Sequence, residues 1–183
     1  KGHWLEVKSG WNYACGEFGS EGLDFEEVMR TRYPAEWLPT GPDDEAAWSP
    51  SRIHKAQTGD LQCLWMEPGD SMAEWIRRSQ AHQVWITRLM TEAFRRDNRM
   101  VSFAIHLFID GWPAGWMKTI MDCRRHPKPA YFAYRDALAP LAVSCRTDRA
   151  CGSSGESIEV EAWVCNDPNE IPAGVELSYQ LER

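Results

Sequence analysis

Residues 11–24, WNYACGEFGSEGLD, limit what this chain can fold into more than any other stretch. Trp11, Tyr13 and Cys15 recur with the period of two that marks a β-strand. The run stops at a carboxylate, Glu17, held between Gly16 and Gly19. A strand that ends in a glycine-rich loop displays its last side chains at the edge of the sheet. On a barrel, that rim carries the catalytic groups. A second apolar run, MVSFAIHLFIDGWPAGW, begins at Met100 and ends the same way, with Asp110 and Trp112 at its mouth. Taken alone, Glu17 fits a solvated loop carboxylate as well as a catalytic one, because exposed Glu is common. Gly16, Gly19 and Gly22 are spaced GxxGxxG, which is not the GxGxxG dinucleotide fingerprint.

Helical patterns separate the two runs. Asp24, with Glu27 three residues on, predicts a capped helix over 24–33 that Pro34 ends. Residues 35–69 are rich in Pro, Gly and Asp but keep recurring apolar anchors (Trp37, Trp48 and Trp65), and read as a long ordered loop. Ser71-Met-Ala-Glu74 is a capping box, and it opens a helix predicted over 71–97. Met72, Ile76, Gln83, Ile86, Met90 and Phe94 form its expected inner face, with Leu89 and Ala93 beside them. Arg95, Arg96 and Arg99 suit the C-terminal end of its dipole. A strand is expected over 100–109, a loop over 110–127, and a helix over 129–139 between Pro129 and Pro140. Strands alternating with helices predict βα units with a parallel sheet, covered on both faces.

From residue 141 the pattern changes. LAVSCRT, SIEVEAWVCN and GVELSYQLE alternate with period two, as antiparallel strands do. Ile158, Val160, Ala162 and Val164 point one way and Glu159, Glu161 and Trp163 the other, which predicts a half-buried strand. These residues read as the opening strands of a sandwich that needs roughly 100 residues when complete.

Composition narrows the chemistry. The net charge is −7 and no basic patch stands out, which argues against a nucleic-acid partner. No run approaches the ~18 apolar residues of a membrane span. The six cysteines show neither CxxC nor Cys/His metal spacing, so no cofactor and no metal is expected. Cys15, Cys145 and Cys165 read as buried thiols, with a Cys145–Cys151 or Cys151–Cys165 disulfide left open. Ten tryptophans are a heavy load, and most are expected in the core. The periplasm, the extracellular space and the cytoplasm all remain open as compartments.

The segment resembles glycoside hydrolase family 2, the group of β-galactosidases, β-glucuronidases and β-mannosidases. GEFG at 16–19 is similar to the family's strand-seven motif, a Glu followed by an aromatic residue and then often Gly. IDGWP at 109–113 is similar to the strand-eight ending NDxWP, and RRHPKPAYFAYRDALAPL at 124–141 to the closing helix. VCN at 164–166 and GVELSYQL at 174–181 resemble the sandwich strands behind it. The resemblance implies an α/β fold: residues 1–140 would be the last two βα units of a (β/α)8 TIM barrel, and 141–183 the beginning of an immunoglobulin-like β-sandwich. It implies a retaining β-glycosidase with Glu17 as catalytic nucleophile and His106, Asp110 and Trp112 at the carbohydrate substrate. The acid/base Glu would lie upstream of Lys1. The rest of the same polypeptide, or other subunits, would complete the barrel. Two departures touch the sugar site: His106 stands where the family usually has Trp, and Ile109 where it has Asn. A non-catalytic carbohydrate-binding or structural segment is the alternative.

Overall fold

The computed structural model describes residues 9–53, 67–113, 116–147, 149, 151–167, 176–178 and 180. Two short strands, β1 (Tyr13–Phe18) and β2 (Met100–Ile105), pair in parallel, as the two apolar runs predict. Between them come α1 (Glu26–Arg32), α2 (Pro42–Ala46) and the long α3 (Met72–Arg96); α4 (Pro129–Ala137) follows β2. The chain then forms an antiparallel ladder of β3 (Leu141–Thr147) and β4 (Val160–Asn166). This is a mixed α/β architecture.

One face of the β1–β2 pair packs on the helices. Phe18 meets Phe94 of α3 edge-on at 5.1 Å, and also Phe103 and Tyr134. Phe94 and Phe103 stack at 5.2 Å. The other face, with Ala14, Gly16, Ser102 and Ala104, is exposed, so the strands are not covered on both sides as their apolar character predicts. A larger core lies beside the sheet and is built from Leu23, Val28, Met29, Trp48, Ile53, Met72, Trp75, Ile76 and Met117.

α3 starts where its capping residue says it should. Ser71 Oγ accepts the backbone N–H of Glu74 at 3.1 Å, and Glu74 in turn pairs with Arg77 and Arg78. The middle of its buried stripe is polar, however. Ser79, Gln80, Gln83, Thr87 and Thr91 are buried there, while Ile86, Leu89 and Met90 are only half-buried. Ser79, Gln80 and Gln83 bond loop backbone, whereas Thr91 donates to the Thr87 carbonyl within the helix.

Several expectations are corrected. Asp24 does not cap α1; Phe25 takes that position with no side-chain cap, because the Asp24 carboxylate is committed elsewhere. β2 ends at Ile105, four residues short of the predicted strand. The β3–β4 ladder is antiparallel but not half-buried: Val143, Ile158, Val160 and Val164 are exposed, since among the described residues no second sheet lies against them. The five described cysteines are free thiols, so neither of the disulfides left open is formed; Cys145 is exposed and Cys15 and Cys165 are only half-buried, not buried as expected. Trp48 and Trp75 are buried, but Trp11, Trp85, Trp112 and Trp163 are exposed. Trp65, Cys63 and most of the run 174–182 lie outside the described residues. No described helix is long and apolar enough to cross a membrane.

Candidate functional site

The ladder between β1 and β2 is irregular where Glu17 stands. Cys15 pairs with Phe103 and Phe18 with Ile105, so two residues of β1, Gly16 and Glu17, stand opposite the single residue Ala104. This is a β-bulge, which bends its strand and re-aims the side chains on it. Phe18 stays on the helix side, and Glu17 is left at the C-terminal end with its side chain 73% exposed.

Backbone contacts tie the end of β2 to the same place. The His106 N–H donates to Phe18 O at 2.8 Å. A Cβ added to Gly19, whose φ is +152°, would stand 2.7 Å from His106 O, so this close approach requires glycine. Beyond that crossing, His106 Nε2 is 3.9 Å from Glu17 Oε1. The His106 ring meets Trp116 edge-on at 6.2 Å between centroids, and Lys118 Nζ lies 5.9 Å from the Trp116 ring on the same loop.

The two loops that follow β1 and β2 are held together from behind by α3. Gln83, fully buried, donates through Nε2 to Ser20 O at 2.9 Å, Thr119 O at 3.1 Å and Lys118 O at 3.3 Å. Ser79 Oγ accepts the Leu23 N–H and Gln80 Nε2 donates to Leu23 O. Loop carbonyls and amides must find partners once buried, and Ser79, Gln80 and Gln83 supply them, which accounts for the polar residues in that part of the α3 inner face. Gly22 N donates to Met117 O at 2.8 Å, stitching loop to loop directly.

A buried charge pair closes the rear of this assembly. Lys128 Nζ is 3.1 Å from Asp24 Oδ1 and donates to Gly22 O at 2.8 Å, and both side chains are withdrawn from water. Tyr33 donates to Asp24 Oδ2 at 2.6 Å. Burial, and then the adjacent Asp24 charge, push the Tyr33 hydroxyl far above the usual phenol range, so it remains a donor. Asp110 belongs to this rear network. It is 7% exposed and accepts from Thr119 Oγ1 at 2.8 Å. Burial pushes its carboxyl up, and the Thr119 hydrogen bond partly opposes that rise.

The structure therefore brings Glu17 and His106 together, and places Asp110 behind them with its carboxyl already engaged. Trp112 is 71% exposed. Trp116 is the aromatic side chain that touches His106, and sequence reasoning did not single it out; it stands ten positions further along the chain, with no strand or helix period linking it to His106. Gln83 was legible only as one more position on a helix face. Among the described residues no group of three or more His, Cys, Asp or Glu could hold a metal ion.

No family model matches the chain. No curated protein matches it in sequence. Among solved structures, it is similar to the crystal structure of a β-D-mannosidase from Dictyoglomus thermophilum, with a TM-score of 0.60 and 19% identity. The match covers 83% of this chain and 18% of the mannosidase, so the chain spans less than a fifth of that enzyme's length. At this identity the likeness shows a common fold.

Proposed function

We propose that this chain is the nucleophile-bearing segment of a retaining β-glycosidase. One observation carries the proposal: Glu17 sits on a bulge at the C-terminal end of a parallel strand, 3.9 Å from His106 at the same end of the next strand. The structural likeness to a β-D-mannosidase supports it. So does the resemblance of GEFG and IDGWP to glycoside hydrolase family 2. In this reading residues 1–140 are the end of a TIM barrel and 141–183 the start of a sandwich.

The chemistry follows from the carboxylate. One Glu17 oxygen attacks the anomeric carbon as the bond to the leaving oxygen breaks, and the electron pair of that bond goes to the leaving group. A carboxylic acid about 5–5.5 Å away protonates that oxygen. The resulting carboxylate takes a proton from water, which attacks the anomeric carbon and releases Glu17. The acid is the Glu that the resemblance expects upstream of Lys1. Trp116, packed on His106, offers an aromatic face to the apolar side of a sugar ring. Trp112, which is 71% exposed, suits an outer sugar unit. We assign Asp110 to the support of the site instead of to sugar contact, because its carboxyl is buried and bonded to Thr119.

The test is Glu17→Gln in the polypeptide that carries this segment, assayed on 4-nitrophenyl β-mannoside, β-galactoside and β-glucuronide. The amide keeps the shape and removes the nucleophile. Turnover of the best substrate should fall about 10⁴-fold or more, which is ~5.5 kcal/mol of barrier. Activity within about threefold of wild type would rule Glu17 out and favour a non-catalytic, carbohydrate-binding role.

A further inference from the structure

A nucleophile must be aimed as well as ionised. Reacting atoms have to stand ~3–3.5 Å apart with their orbitals aligned. Glu17 has a long side chain that is 73% exposed. Among the described residues, the basic group within 4 Å of it is His106.

His106 is itself well fixed. Its N–H is bonded to Phe18 O. Its carbonyl lies in the space that Gly19 leaves open. Its ring is only 26% exposed and rests against the edge of Trp116. The backbone bond to Phe18 also ties the His106 main chain to the residue next to Glu17. The ring thus presents Nε2 to Glu17 Oε1 from the neighbouring strand.

We propose that His106 is a positioning residue for Glu17. Its Nε2–H donates to Oε1, fixes the plane of the carboxylate, and leaves Oε2 directed at the anomeric carbon. The inference rests on the reading of Glu17 as nucleophile. The 3.9 Å separation is beyond hydrogen-bond range. Catalytic hydrogen bonds are often long before substrate binds and shorten once the site is filled. A closure of about 1 Å, within the reach of one Glu17 rotamer adjustment, completes the bond. Both the Nε2–H tautomer and the imidazolium can donate in this way.

A positioning role differs in kinetics from direct sugar contact. Losing a donor aimed at a carboxylate lowers kcat, whereas losing a contact to the sugar raises KM. The experiment compares His106→Ala and His106→Gln in the polypeptide carrying this segment, on whichever of the three 4-nitrophenyl β-glycosides it hydrolyses best. A parallel arm tests Glu17→Ala with added azide. We expect His106→Ala to lower kcat about 10–100-fold, the worth of a hydrogen bond to a charged group, with KM within about twofold. His106→Gln keeps an N–H donor of similar reach and should recover at least half of that loss on a logarithmic scale. Unchanged melting temperatures in both variants would exclude a folding defect. A rise in KM with kcat unchanged would overturn the proposal, as would equal losses of kcat in the Ala and Gln variants. In the parallel arm, an α-glycosyl azide from Glu17→Ala upholds the nucleophile on its own terms, whatever the His106 variants do. No azide product would defeat that reading and the His106 proposal with it.

Discussion

At the scale of single residues, burial decides which carboxylates are free to do chemistry. Glu17 projects into solvent from its bulge, whereas Asp24 and Asp110 are withdrawn and bonded. Asp110 has a consequence for stability that depends on pH. Its folded form holds the proton more tightly than the unfolded chain does, because burial raises its pKa. The stability tied to that proton is complete below the unfolded value of ~3.9 and is lost as pH rises through the folded value. Asp110→Asn retains an oxygen to accept from Thr119 but carries no charge. It should therefore be more stable than wild type at pH 7, and the gain should vanish near pH 3.5. Urea unfolding at the two pH values measures this; an equal difference at both would show that Asp110 costs nothing through its charge. Sequence could not separate these carboxylates. Asp24 precedes a helical run and reads as a cap, but Lys128, more than 100 positions away, claims it. Nothing local marks Lys128 either, since Lys before Pro is ordinary on a surface.

At the scale of elements, α3 was the most legible and also the most misleading. Its span, 72–96, lies within one residue at each end of the 71–97 that periodicity and the Ser71 cap predict. Periodicity identified the inner side of the helix, with Gln83 on it, but filled the rest of that face with apolar residues. Instead Ser79, Gln80 and Gln83 face inward and bond the backbone of the two loops that frame Glu17 and Trp116. A pattern count cannot see this, because the partners are main-chain groups of loops distant in sequence. Gln83→Leu tests their weight. It removes one donor and leaves carbonyls of Ser20 and Thr119 buried without it. The expected cost is ~1–3 kcal/mol in chemical denaturation. Amide exchange should quicken in the loops 19–24 and 117–121 before it does in the rest of α3. Wild-type stability in Gln83→Leu would mean that these hydrogen bonds are replaced by water at no cost.

At the scale of the whole molecule, the direction of both strand pairs and the order of elements were legible, because apolar runs bounded by glycine and proline carry that information; the exception is the short α2, which lies in the stretch 35–69 read as loop. Burial was not. β1, β2, β3 and β4 are all apolar in pattern, yet each leaves a face exposed among the described residues. The helical part and the β3–β4 ladder are joined by charge as well as by packing. Arg95 donates to the carbonyls of Ala137 and Ala139 and to Asp167, and Arg96 donates to Ser144. This arrangement holds the C-terminal end of α3 against both α4 and the ladder, behind the sheet whose far end carries Glu17. The proposed activity depends on the chemistry of that one carboxylate. A 2-deoxy-2-fluoro β-glycosyl fluoride slows release of a glycosyl-enzyme more than its formation, so the covalent species accumulates. The decisive measurement is peptide mapping by mass spectrometry after the polypeptide carrying this segment is treated with such a reagent. One added fluoroglycosyl group is expected, carried on Glu17 within the peptide that spans β1. A glycosyl group on any other carboxylate, or continued turnover with no labelled peptide, would contradict it.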